Sequence, residues 1–524
     1  MTEKRVLLAA IISIIFLTWY SRAVLIQTPA VVKRVVPSGG EPKPEPVSKT
    51  PEGAGAAIPQ LIDKEEVTFI ESDDIRLEIG KTSGSIRQVT LKRFMDESKK
   101  NSIQFGKETP ILSVLANDLP LTWFPSESGS LFRMNFKAAD NENNNYHISY
   151  EIDQRNPILK IELTHDIDGT TLRNQDLELV TTWFKGDKLG DRYNRLEYIA
   201  LYKKDSGKYA YKRYARQHSG DRNVPRGTTN LTLSERYFCE IIRSGGDSLD
   251  ASLIPSRPET ITSKILFGRD NPQEDLASAS VEIYLGPRDY FYLRKAGFES
   301  AFPVGALGQI GLTMLLALNW IAGITKNYGI AVVLFSALIT CVMSPFTLLG
   351  IKSMKKMQEL KPRVDKIMAQ HKDNAAKAQA EVFALYKENK VSPLGGCLPM
   401  VFQMPIFIAL FQAISHFIEL RGKSFLWISD LSLPDHLVQF PIAIPILGNY
   451  FNLLPIIMAV AMYFQTKLSQ ANVKLDNTNP SAAMMSGPMM PIIFGFMFYQ
   501  FSSGLVLYWL TNSLISMAWY RLAK

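Results

Sequence analysis

Long apolar runs crowd into residues 301–524, and that crowding limits the fold more than any other feature of the chain. A bilayer core takes roughly 20 apolar residues of helix to cross. Runs at about 328–349, 397–418, 452–468, 484–500 and 505–520 meet that need as five candidate spans. A sixth lies at 1–24, where Lys4 and Arg5 precede an apolar stretch that closes on Trp19 and Tyr20. This stretch is short for a span, so an uncleaved anchor competes with a cleaved signal peptide. No A-x-A cleavage site follows it, which favours the anchor; in either case the next segment is exported. Residues 302–325 are apolar but broken by Gly, Gln and Asn, with Trp320 near one end, and predict a helix lying in the membrane interface.

The polar part divides in two. Residues 25–60 are rich in Pro, Gly and charge and read as a semi-extended linker with too little apolar surface to bury. Residues 61–298 hold short alternating runs, among them VTFIE, IRLEIG, YHISYEI and LKIELTHD, bounded by turn clusters such as DNENNN and DGTT. Many such runs at short spacing predict a large all-β sandwich. Cys239, Cys341 and Cys397 have no CxxC spacing, so neither a disulfide framework nor a zinc site is expected. His147, His165 and His218 stand apart from one another, and no metal or cofactor is predicted. A sugar-processing site would need paired carboxylates, which sequence alone does not pair.

Orientation follows from loop charge. The 350–392 loop carries ten Lys/Arg against five Asp/Glu, whereas 419–440 carries Arg421 and Lys423 against Glu419, Asp430 and Asp435. The basic loop is therefore expected in the cytoplasm with both termini, and the β domain on the far side of the membrane. Within the basic loop, Met354, Met357, Lys361, Val364, Met368 and His371 recur every three or four residues. That spacing and a second helical stretch at 375–388 predict a helical hairpin projecting from the membrane. It is read equally as a solvated, self-packing loop and as a partner-binding surface.

The spans also carry polar side chains. Ser336, Thr340 and Ser344 are spaced by four on one face, and the next span holds Gln403, Gln412, Ser415 and His416. Gln465 follows, then Thr511, Asn512, Ser513 and Ser516. A lone hydroxyl can bond back to its own helix, and helix-packing contacts are the bland alternative. Amides are harder to hide, so several spans offering amides and hydroxyls together suggest a shared, hydrated cavity. Such a cavity suits a solute carrier or a device that handles polypeptide. Transporters place ionisable residues near the midplane and repeat their helices, and neither feature is seen here. No nucleophile–base pair or phosphate loop points to an enzyme.

The stretches NKVSPLGGCLPMVFQMPIFIALFQAI, SPFTLLGIKSMKKMQELKP, FSSGLVLYWLTNSLIS and YLGPRDYFYLRKAG resemble the YidC/Oxa family of membrane protein insertases. The resemblance covers essentially the whole chain, in the form found in bacteria with an outer membrane. It implies a multi-span α-helical inner-membrane protein with six transmembrane helices, a five-helix insertase core at 299–524 and a large periplasmic β-sandwich. It further implies a hydrophilic groove that inserts and helps fold membrane proteins, alone or with the Sec translocon, without catalysis or fuel. By resemblance, Ser336, Met404, Phe407, Tyr508 and Trp509 match substrate-contacting positions of the groove, which Thr340, Gln403, Gln412 and Asn512 would share. Implied partners are nascent membrane proteins, the lipid bilayer, the ribosome and the signal recognition particle receptor, with no recognition of a nucleic-acid sequence. Lys352, Lys355, Lys356, Lys361 and Arg363 of the hairpin, with the loop around 470–482, would carry any ribosome contact, since the sequence given closes at Lys524 without a basic tail. One position departs from the family pattern. Five residues before Pro345 the family usually has an arginine, and this chain has Thr340. The groove is therefore expected to be polar but nearly uncharged.

Overall fold

The alternation read in the polar half comes from a plain steric rule: successive strand residues face opposite sides. In Ile75–Gly80, Ile75, Leu77 and Ile79 are buried while Arg76 and Glu78 lie half exposed. The computed structural model describes residues 65–522 except 96–100, 107–108, 117–118, 127–129, 140–144, 167–176, 185–195, 216–221, 246–247, 255–259, 267–277, 303–305, 372–373, 392–397, 445–447 and 470–488. The expected N-terminal anchor and linker, and the 470–482 loop, lie outside the described residues.

Two antiparallel sheets of ten and nine strands form the sandwich. The ten-stranded sheet runs from Val67–Glu71 through Ile75–Gly80, Ile86–Met95, Leu112–Ala116, Leu177–Phe184, Thr260–Leu266 and Asp250–Ile254 to Arg222–Asn223. The nine-stranded sheet runs from Tyr209–Ala215 through Glu197–Lys203, Thr228–Ser234, Phe238–Ser244, Ser278–Pro287, Ile158–Asp166, Asn145–Ile152 and Arg133–Ala139 to Trp123–Pro125. Between them lies one apolar core, with Leu77, Ile79 and Trp183 of the first sheet facing Tyr150, Ile161 and Leu233 of the second. Buried tyrosine hydroxyls find carbonyls across the gap: Tyr150 donates to Gly84 O at 2.7 Å and Tyr198 to Thr262 O at 2.8 Å. The turn before Ile158–Asp166 is made by Asp153, whose carboxylate accepts the amides of Arg155 and Asn156 at 2.8 and 2.7 Å.

The helical half starts at the sandwich edge. Helix α1 (Tyr290–Lys295) is capped by Asp289, which accepts the Phe291 amide at 2.9 Å. With the residues after it, α1 covers the outer face of the nine-stranded sheet, where Leu293 and Phe298 pack on Cys239, Ile241 and Tyr284. Helix α2 (Ala306–Thr325) is mostly apolar, with Gln309 and Thr313 exposed. Met314, Leu315 and Leu318 are buried in the helical core, while Ile310, Leu316, Trp320 and Ile324 are exposed.

Helix α3 (Tyr328–Gln370) opens on Asn327, which caps the Ile330 amide at 3.1 Å. Its 43 residues would run roughly 65 Å, about twice a bilayer core, so the basic second half must leave the apolar layer. Helix α4 (Ala375–Glu388) folds back along it, and His371 Nε2 meets Glu381 Oε1 at 3.1 Å. Ala378 and Leu360 are buried where the two helices meet, and Met368, expected on the packing stripe, is 45 % exposed.

Helices α5 (Leu398–Ser415), α6 (Leu454–Ser469), α7 (Met489–Met497) and α8 (Ser503–Leu522) complete the core. Among the described residues two helices, Leu307–Thr325 and Tyr328–Gln370, are long and apolar enough to cross a membrane. The apolar segments of α5, of α6, and of α7 with the turn after it are shorter, at Gln403–Ser415, Leu454–Leu468 and Met489–Gln500. Six crossings are thus more than these helices alone establish.

Candidate functional site: a polar cavity between helices

Four helices bring their polar positions together. The faces are those of the helical repeat: Thr340, Met343 and Thr347 on α3, Gln403 and Met404 on α5, Met462, Gln465 and Thr466 on α6, and Trp509, Asn512, Ser513, Ser516 and Tyr520 on α8. With Phe346, Met490 and Phe494 they line a cavity of about 240 Å³. No Asp, Glu, Lys, Arg or His is among these lining residues.

Most hydroxyls in the site are already engaged by their own helix. Thr340 donates to Ser336 O at 2.7 Å, Thr347 to Met343 O at 3.3 Å, and Thr466 to Met462 O at 2.8 Å. That is the back-bonding by which a helix hides a hydroxyl in an apolar setting. The amides do the cross-linking. Asn512 Oδ1 accepts from Thr340 and from Ser516, both at 3.3 Å, joining α3 to α8. Gln403 Nε2 donates to the Tyr508 hydroxyl at 2.6 Å, joining α5 to α8.

One end of the cavity is aromatic. Trp509 stands edge-on to Phe407 with centroids 5.2 Å apart, and lies 5.4 Å from Phe498 and 5.6 Å from Phe494. Such a block is stiff and water-excluding.

Of the positions singled out in the sequence, Thr340, Gln403, Met404, Trp509 and Asn512 line the cavity. Tyr508 is 1 % exposed and stands behind Gln403 as its partner. Phe407 belongs to the aromatic block. Ser336 is fully buried against its own helix. Gln412 is exposed on the other side of α5, and its backbone oxygen pairs with His416 Nδ1 at 3.2 Å. Met343, Met462 and Met490, which sequence reasoning missed, join Met404 to give the cavity a methionine content. Helical spacing would have shown part of it, since Met343 and Thr347 follow Thr340 by three and seven.

The comparisons with known proteins concern this half most strongly. Residues 320–523 match the family described as 60Kd inner membrane protein. A protein of Endomicrobium trichonymphae named membrane protein insertase YidC is 39% identical over 259 residues, 49% of this chain and 47% of the relative. The chain thus spans about half the length of that relative. A Chlorobium luteolum protein of the same name is 27% identical over 520 residues, 91% of this chain and 85% of the relative. The crystal structure of an active YidC insertase with its first transmembrane domain resolved covers 89% of this chain and 94% of its own, at 17% identity and a TM-score of 0.39. On the sequence matches, residues 320–523 are similar to the 60Kd inner membrane protein family, and the chain is similar to proteins named membrane protein insertase YidC.

Proposed function

We propose that the chain inserts membrane proteins and helps them fold, the cavity between α3, α5, α6 and α8 receiving the polar end of an arriving segment. The observation that carries the reading is a cavity lined by hydroxyls, amides and methionines, with no ionised side chain among its lining residues. A charged group at the bilayer centre costs roughly 2.5 to 3.5 kcal/mol on insertion scales. A wet notch reaching partway into the lipid shortens that dry path, and passage of the apolar segment into lipid drives the step without fuel or catalysis. Methionines suit many sequences, because their side chains repack at small cost. The absence of an ionisable pair at this site speaks against a proton- or ion-coupled solute carrier.

In this reading the five helical segments and the N-terminal run cross the inner membrane, with the hairpin and both termini in the cytoplasm and the sandwich in the periplasm. Helix α2 lies along the outer interface with Trp320 at the headgroups. The hairpin lysines Lys352, Lys355, Lys356 and Lys361, with Arg363, face the ribosome and its targeting machinery, and the Sec translocon is the lateral partner.

The test is reconstitution. Full chain in proteoliposomes should bring a small single-span substrate into a protease-protected state, and empty liposomes should not. Equal protection in both would end the proposal.

A further inference from the structure

Arg236 belongs to the sandwich, in the turn between Thr228–Ser234 and Phe238–Ser244, yet it bonds to the helical core. Its Nε donates to Ser415 O at 2.8 Å and its Nη2 to Ser432 O at 3.2 Å. The side chain is 6 % exposed, with its guanidinium 4.7 Å from the Tyr237 ring centre. Ser415 is the last residue of α5, whose final turn has no basic residue of its own. The last carbonyls of a helix have no partner within it, so a cation donated from outside both caps and fixes that end.

The contact does not stand alone. Ile418 is 4 % exposed and packs into the core of the sandwich. Arg421 lies over Tyr237 and Phe238 at 5.6 and 5.5 Å, and the Tyr292 hydroxyl donates to Glu419 at 3.0 Å. The turn itself is held by Arg288, which donates from Nη1 to Glu235 O at 3.1 Å and from its amide to Tyr237 O at 2.7 Å.

The first half of α5 carries Gln403 and Met404, followed at once by Pro405. A proline inside a helix removes one backbone bond and loosens the rod there. The residues after Pro405 can therefore pivot at the cavity wall unless their far end, roughly 16 Å from Met404 by helical rise, is held. We infer that Arg236 is a positioning residue: the sandwich grips the outer end of α5 through it and thereby keeps Gln403 and Met404 in the cavity wall. What that wall does rests on the insertase reading; the grip itself does not.

The experiment compares parent, Arg236→Ala and Arg236→Lys as full chains in proteoliposomes, by amide hydrogen exchange, sandwich melting and insertion of a single-span substrate. In Arg236→Ala, amides of 406–415 should exchange about tenfold faster while strands Leu177–Phe184 and Thr260–Leu266 keep their protection. Insertion should slow in step, and Arg236→Lys, which keeps the charge and a donor, should fall between the two. Parental exchange in α5 of both variants overturns the inference, as does slowed insertion with α5 unchanged. Should Arg236→Ala unfold the sandwich, Arg236→Lys decides: intermediate α5 exchange on an intact sandwich supports the grip, and parental exchange ends it. A parent that inserts nothing would defeat the proposed function, while α5 exchange would still report on the grip.

Discussion

Thr340 concentrates the question of how the cavity lowers the barrier. It is 5 % exposed, bonds back to Ser336 and reaches Asn512 at 3.3 Å. Its neutral hydroxyl leaves the site without a fixed charge to prefer either sign of polar tail. Thr340→Arg should speed insertion of a substrate with an acidic tail over one with a basic tail, and Thr340→Leu should slow both, each measured by protease protection. Parental insertion of acidic tails by Thr340→Leu would show that polarity here is irrelevant. The amides that join helices, Gln403 and Asn512, were legible as residues that an apolar helix hides with difficulty. Their partners were not: the fall of Tyr508 behind Gln403, and of Gln412 on the outer side of α5, depends on how the helices are rotated about their axes. A spacing of four names a face, not the neighbour it meets.

Elements pack where side chains allow backbones to approach. On α2, a Cβ at Gly311 would stand 2.8 Å from Ala409 O and 3.1 Å from the Ala413 methyl of α5. This is the close contact that small residues permit between membrane helices. Gly311→Val should destabilise the α2–α5 pair by about 1–3 kcal/mol, the usual range for overpacking, and lower the temperature of aggregation in detergent. In the sandwich, Glu240 is fully buried on a strand whose neighbours Phe238 and Ile242 face the core. Burial pushes its carboxyl up to about 8, with the Thr181 hydroxyl pulling partway back. The folded chain therefore holds this proton more tightly than the unfolded chain, whose carboxyl titrates near 4.5. Stability from this group is full at low pH and declines as pH rises between those values. Glu240→Gln should flatten the melting temperature of the sandwich across that window and raise it at pH 8, as circular dichroism would show; an unchanged slope would assign the pH dependence elsewhere. Alternation made the strands visible in the sequence, but a glutamate among core positions was not distinguishable there from a solvent-facing one.

At the scale of the molecule, sandwich and helical core share a junction rather than a tether, and the residues from 56 onward form one compact unit. Removal of 61–290 should leave insertion measurable, because the lining residues of the cavity are all helical. The rate should fall at least to that of Arg236→Ala, with earlier melting of the core, since Ile418 loses its cover and Ser415 its donor. Insertion at the parental rate by the truncated chain would show the junction to be passive. Apolar length, loop charge and strand alternation by themselves determined that one half of this chain seeks lipid and the other builds a sandwich, because burial of apolar surface and backbone pairing act locally along the sequence. Tertiary structure alone decided which polar groups share the cavity, and that a turn near residue 236 holds a helix end near 415. Those contacts join residues far apart in the chain, and their geometry comes from packing that no local pattern encodes.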